Sequence, residues 1–218
     1  MNYFPDRIAA GAELAAGLQH YRYENTAVVA LSEGGVIVGA EIAAQLHCVL
    51  TMLLTKPIYL PGENTPLGLV NYTGGFTFNR MIPLAEIDEL MGEYHAVVDD
   101  LKRQKFSALN ALLGDGDTIR PDLLREHNVI LVSDGIKRGI SLDAAYEYLK
   151  PFKIKKLIIV TPVATVEAVD RMHVLADEIH CLNIVDRYFG TDHYYEAPLK
   201  ASSEKIIATV QNIVLNWR

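Results

Sequence analysis

Val129-Ile130-Leu131-Val132-Ser133-Asp134-Gly135-Ile136-Lys137-Arg138-Gly139-Ile140-Ser141 reads as a buried strand that runs into a carboxylate and then into a glycine-bearing turn opening a helix. The strand is apolar at consecutive positions rather than alternate ones, which is what a strand covered on both faces requires. Ala27–Leu31, Val49–Leu54, Leu157–Thr161 and Glu178–Leu182 also look like buried strands, and four of the five are apolar at consecutive positions. Helical patterns lie between them. Gly39–Leu46 continues a helix opened after Gly34-Gly35, Ser141–Leu149 follows the third strand, and Val166–Leu175 follows the fourth. Strand and helix alternating in this way predict an α/β fold: a doubly wound, five-stranded parallel core sheet with helices on both faces.

Three parts stand outside that rhythm. Arg7–Leu18 predicts an N-terminal helix with Ala and Leu on one side. Pro57–Phe78 is rich in Pro, Gly and aromatic residues and predicts a loop with a short hairpin. Leu84–Leu113 is helical in period, with Leu84, Ile87, Leu90, Met91, Tyr94, Val97, Val98 and Leu101 on one stripe. Its stripe suits an accessory helix or a dimer arm equally. Asp115-Gly116-Asp117 marks a turn, and Ser203–Trp217 predicts a last amphipathic helix with Ile206, Ile207, Val210, Ile213, Val214 and Trp217 inward.

The 218 residues carry 20 basic and 27 acidic side chains, for a net charge of −7. Such an acidic chain has no general footprint for nucleic acid or an anionic membrane. Half of its residues are hydrophobic, enough for a continuous core, yet no apolar stretch approaches the ~20 residues that span a bilayer. The opening Met1–Arg7 lacks the basic-then-apolar order of a signal peptide, so a cytoplasmic location is expected. Cys48 and Cys181 sit in separate apolar runs and read as buried reduced thiols. The seven histidines are scattered without ligand spacing, so no protein-bound metal is expected.

The turn after the third strand has the chemistry of a phosphate site. Small residues let backbone N–H groups converge on an anion, and a helix N-terminus adds its positive end. Gly135, Lys137, Arg138, Gly139, Ile140 and Ser141 form this candidate phosphate-binding loop. Asp134, with Ser133 before it, stands where sugar hydroxyls would be met. The alternative is a plain βα turn with Ser141 as helix N-cap and exposed Lys137 and Arg138. A second strand end, Leu31-Ser32-Glu33-Gly34-Gly35-Val36, also opens a helix with a glycine pair, which taken alone is a weak signal.

Together these segments resemble the type I phosphoribosyltransferases. The 129–141 segment is similar to their phosphoribosyl pyrophosphate (PRPP) motif: Asp134, Gly135, Gly139 and Ser141 match, whereas Ser133 replaces an acid and Arg138 a hydroxyl residue. Ser32, Glu33, Gly34 and Gly35 resemble the pyrophosphate loop. The likeness continues, in order, through Phe4-Pro5-Asp6-Arg7, Leu54-Thr55-Lys56-Pro57, the glycine-rich Pro61–Val70 stretch, Val160–Ala164 and Ala176–Ile179. It implies one domain over residues 1–218, with a flap at 57–78 and a helical insertion at 84–113.

The resemblance further implies transfer of ribose 5-phosphate from PRPP to a nitrogen base, with Mg²⁺ carried by the substrate, and a homodimer. Asp134 and Lys56 would be the catalytic residues. It also implies a cis Ser32–Glu33 peptide in the pyrophosphate loop. Two departures oppose turnover. Glu33 stands where a basic residue usually faces pyrophosphate; replacing attraction by repulsion at ~4 Å costs roughly 2–8 kcal/mol between the aqueous and protein-surface limits. Ser133 removes a carboxylate from the ribose region. The alternative is therefore a non-catalytic protein that binds PRPP or a nucleotide and reports it to a partner. Asp186–Phe189 and His193–Tyr195 follow the fifth strand and suit either stacking on a base or anchoring the C-terminal helix.

Overall fold

The computed structural model describes residues 3–113 and 123–217. The Asp115-Gly116-Asp117 turn lies outside them. The five expected strands form one parallel sheet of β1 (Thr26–Ala30), β2 (Val49–Met52), β6 (Asn128–Val132), β7 (Lys156–Thr165) and β8 (Glu178–Val185), in the order β2-β1-β6-β7-β8; the edge strand β8, expected to be buried, is only half-buried. Every residue of β1 and β6 is buried, as their unbroken apolar runs demand. The chain moves outward from β1 to β2, then returns and moves the opposite way through β6, β7 and β8. With right-handed crossovers, α2 (Glu33–Leu46) falls on one face and α4 (Ile140–Leu149) and α5 (Val166–Leu175) on the other. The reversal point lies between β1 and β6. Ala30 pairs with Val132, so the two strands end level and their turns sit side by side. That crevice is where open α/β sheets bind ligands.

α1 (Arg7–Gly17) packs on α2 and touches β7 and β8. Asp6 starts it by accepting from the Ala9 N–H at 2.8 Å. α6 (Ser203–Gln211) also packs on α2. The helix expected to run from Ser203 to Trp217 stops at Gln211 and gives way to a 3-10 turn at Ile213–Asn216. Ile206 and Ile213 are buried, but Val214 is turned to solvent. Trp217 lies flat on the His47 ring, and its indole N–H donates to the Cys48 carbonyl at 3.1 Å.

The second strand ends at Met52, two residues before the expected Leu54. The chain then leaves the main sheet and enters a second, antiparallel one of β3 (Thr55–Ile58), β4 (Gly68–Asn71) and β5 (Phe76–Phe78). The expected loop with a short hairpin is thus a three-stranded sheet, and it begins at Thr55 rather than Pro57. Conversely, β7 continues past Thr161. Pro162 reads as a stop because it lacks an N–H, but the ladder to β8 resumes at Val163↔Asn183.

α3 (Leu84–Leu113) is one helix through Gly92, ~45 Å long at 1.5 Å per residue. It packs on β3 and β4. Ile87, Val98 and Leu109 are its buried residues, eleven apart, close to three full turns. Leu84 and Val97, expected on the inner stripe, are exposed.

Candidate functional site

Two strand-to-helix turns meet at the reversal point. In the first, Ser32 caps α2: its hydroxyl oxygen accepts from the Gly35 N–H at 2.9 Å. Helical backbone begins at Glu33, and the Ser32–Glu33 bond is trans, contrary to the cis form implied by the resemblance. An extended Ser32 and a trans peptide bring the Gly34 and Gly35 amides into the first helical turn, where the cap consumes one of them. The glycines are there for space. A Cβ on Gly34 would collide with the Asp134 carboxylate, and one on Gly35 would lie 3.0 Å from the Val132 carbonyl.

Asp134, at the tip of β6, is the hub of the site. Its Oδ2 accepts from Arg7 Nε at 2.8 Å and its Oδ1 from the Ser32 hydroxyl at 2.7 Å. Its carbonyl accepts from the Tyr195 hydroxyl at 2.6 Å. Arg7 is almost wholly buried. Its Nη2 donates to Asp192 at 2.5 Å, and its guanidinium carbon lies 4.3 Å from the centre of the Tyr195 ring. Burial by itself lowers the Arg7 pKa, but the Asp192 and Asp134 carboxylates outweigh it and raise the value. Burial, reinforced by Asp134, drives the Tyr195 phenol up, and burial pushes Tyr188 up to about 12. Neither phenol ionises near neutral pH.

Ser133 is buried. Its hydroxyl donates back to the Gly135 carbonyl at 3.0 Å, so it is directed into its own turn. Beyond Gly135 the second turn opens out. Ile136 is fastened to β7 by N–H donation to Val163 (3.0 Å), and the Thr165 hydroxyl holds the Lys137 carbonyl at 2.6 Å. Lys137 and Arg138 are exposed. The N-cap of α4 is Gly139, in the left-handed region at φ 72°, and not Ser141. Gly139 has no side chain to cap with, and Ser141 already lies inside the helix. Among the described residues, no protein oxygen accepts from the main-chain N–H groups of residues 137–141. This is the arrangement that an anion completes.

A cavity of about 560 Å³ opens over the first turn and the tip of β6. Ser32, Glu33, Gly34, Lys56 and Asp134 line it, together with Arg7, Thr191 and Asp192. Lys56 comes from β3, so the second sheet supplies a cation to the edge of the first. The 137–141 turn stands outside this lining and begins three residues beyond Asp134. Of the candidate residues, Ser32, Glu33, Gly34, Lys56 and Asp134 are therefore brought together, and the phosphate turn flanks them.

Arg7 and Asp192 were not read as site residues from the sequence, and Tyr195 was read only as one of the loop aromatics. Of the loop aromatics, Tyr194 and Tyr195 do not anchor the C-terminal helix. Phe4 bridges to Tyr195, its N–H donates to the Tyr194 carbonyl at 3.0 Å, and Tyr194 donates to the Arg187 carbonyl at 2.9 Å. They clamp the N-terminal segment, not the C-terminal helix. Cys48 is buried and its thiol is pushed up to about 12; Cys181 is only partly buried, and burial pushes it to about 11. Both shifts favour the protonated thiol over the thiolate at neutral pH.

No family model matches the chain. It is 24% identical over 213 residues to a Mycobacterium tuberculosis protein named "Putative phosphoribosyl transferase", in two strains. The match takes in 95% of this chain and 46% of the relatives, so the chain spans about half the length of these curated relatives. The crystal structure of TT1426 from Thermus thermophilus superposes with a TM-score of 0.75 at 25% identity, over 96% of this chain and 98% of that one. A hypothetical protein from Neisseria gonorrhoeae with bound ppGpp gives 0.51 at 11% identity, over 96% and 95% of the two chains, a likeness of fold alone. No helix among the described residues is long and apolar enough to cross a membrane.

Proposed function

We propose that the chain binds phosphorylated ribose, as PRPP or a nucleotide phosphate, and transfers ribose 5-phosphate from PRPP to a nitrogen base with release of pyrophosphate. The observation that carries this reading is the 137–141 turn. Its main-chain N–H groups lie at the N-terminus of α4 without a protein acceptor among the described residues, beside a cavity that holds Lys56. Similarity to proteins named as phosphoribosyl transferases supports the same reaction class.

In this reading the 5-phosphate sits on the 137–141 amides, with Lys137 and Arg138 adding charge at the rim. Pyrophosphate lies in the cavity, where Lys56 stabilises the charge that grows as it leaves. Mg²⁺, when bound, would neutralise charge between pyrophosphate and ribose oxygens. The cavity carboxylates are Glu33, Asp134 and Asp192. Asp134 and Asp192 are engaged by Arg7, so Glu33 is the one free to approach a metal carried by the ligand. The donor set fits an ion held by substrate oxygens with at most one protein carboxylate.

A second reading, a binding protein without turnover that acts through a partner, is favoured by Asp134 itself. Both its carboxylate oxygens are bound within the protein, and Ser133 faces its own turn. The ribose hydroxyls would then find no free acid at the strand tip.

Incubation with PRPP, Mg²⁺ and a panel of bases, with pyrophosphate measured, separates the two. Release that rises in the Glu33→Arg, Ser133→Asp double variant is the expected result for the transferase. PRPP or ppGpp bound without release selects the second reading. Absence of binding by both the native chain and the double variant overturns both.

A further inference from the structure

Arg7 carries two carboxylates in this structure, and their surroundings are unequal. The Asp134 side chain is 8% exposed and the Asp192 side chain 64%, against 4% for Arg7 itself. Removing Asp134 from Arg7 would strand a charge in the protein interior, whereas Asp192 can return to water with little desolvation to recover. Both carboxylates line the same cavity as Glu33, facing the cations Arg7 and Lys56. The cavity is therefore net negative in the form seen here, a poor receptacle for a diphosphate. It becomes a better one if a single carboxylate leaves.

We propose that Asp192 occupies the place of a ligand phosphate on Arg7. Binding of a diphosphate displaces Asp192, and Arg7 then supplies the cation that Glu33 withholds from the first turn. This inference rests on the proposed PRPP reading and deepens it. The N-terminal helix, not the pyrophosphate loop, provides the charge for the leaving group. Because Arg7 keeps its bond to Asp134 throughout, its side chain stays oriented while its outer nitrogen exchanges one oxyanion for another. Thr191, which also lines the cavity, and Tyr195, on which Arg7 stacks, belong to the same stretch as Asp192, so the exchange loosens that loop from the site.

The test is calorimetric titration of the full chain with inorganic pyrophosphate, alone and with Mg²⁺. Asp192→Asn is expected to bind roughly tenfold tighter than the native chain, as when the competent arrangement is about a tenth of the population. The gain should vanish in an Arg7→Gln background. Where Arg7→Gln does not fold by circular dichroism, Arg7→Lys replaces it: a single ammonium lacks the guanidinium's separate Nε and Nη2 donors that reach Asp134 and the ligand site in a fixed geometry, so the gain should shrink sharply. Glu33→Gln removes a charge from the same cavity without touching Arg7, and its smaller gain should survive either Arg7 change. An Asp192→Asn affinity equal to or weaker than native, or a gain that persists without Arg7, overturns the inference.

Ribose 5-phosphate, titrated in parallel, reports on the 137–141 turn and should bind both forms equally. Ribose 5-phosphate bound normally with no pyrophosphate gain overturns the exchange at Arg7 alone. If neither ligand binds the native chain or Asp192→Asn, the phosphate-site reading falls with it.

Discussion

The turns after β1 and β6 look alike in sequence and are built to opposite ends. Each leaves a buried strand, carries two glycines and opens a helix. The first is closed. Its serine caps its own helix, and its glycines are narrow places where the Asp134 carboxylate and the Val132 carbonyl press against the chain. The second is open. Its capping residue is a glycine at φ 72° with no side chain, and the 137–141 amides have no protein acceptor among the described residues. Gly34 and Gly35 are packing devices, and so is Gly135, where a Cβ would collide with the Tyr188 hydroxyl; Gly139 alone of the four is a conformational one. A glycine-bearing motif therefore does not by itself identify which loop grips an anion; the fate of the backbone N–H groups does.

Substitutions that treat the turns alike should give unlike results. Breaking the Arg7–Asp134 pair tests the closed side hardest. Asp134→Ala should lower stability by about 3–5 kcal/mol, because Arg7 is left charged and buried; a chemical-denaturation midpoint within 1 kcal/mol of native would show that the hub is decorative. Gly34→Ala is next, at about 1–3 kcal/mol, since its methyl group must displace that same carboxylate. On the open side, Gly139→Ala should cost only about 1–2 kcal/mol of left-handed strain while weakening ribose 5-phosphate binding far more than Gly34→Ala does per unit of stability lost. Equal ratios of binding loss to stability loss at the two glycines would erase the distinction.

Ser32→Ala should cost about 1 kcal/mol for the lost cap, and it frees Asp134 Oδ1; its readout is again the denaturation midpoint. The smallest effect belongs to Lys137→Ala with Arg138→Ala. Stability should not change measurably, and ribose 5-phosphate affinity should fall a few-fold at low salt and less at high salt, as expected for exposed charges. A loss independent of ionic strength would move these residues from the rim to the centre of the site.

The core sheet was legible because unbroken apolar runs such as Val129–Val132 have few other uses, and the order of turns was legible because βα units repeat. The extent of β7 was not, since Pro162 signals a stop that a ladder able to skip one position ignores. Nor was the second sheet. Its strands are only three or four residues long; β3 and β5 are largely half-buried, and β4, though buried throughout, starts on Gly68 and ends on Asn71, so they read as loop until pairing is known. At the site, Asp134, Ser32, Gly34 and Lys56 were found from the strand ends and the family resemblance. Arg7 was not assigned a role because everything that gives it one is remote in sequence. A cation at the start of an Ala- and Leu-rich helix looks like an ordinary solvated end, and only the tertiary fold buries it.

That remoteness shapes how the site comes into being. Arg7 meets Asp134 and Asp192 across sequence separations of 127 and 185 residues. During synthesis the guanidinium precedes both partners and must wait, hydrated, until they are made. The contacts that give it shelter close loops spanning most of the chain, which is entropically slow. Ligand competence should accordingly appear last in refolding, after the sheet has formed, and a ribosome-stalled chain truncated before Asp192 should hold a helix-rich body whose arginine still lacks its second counter-ion.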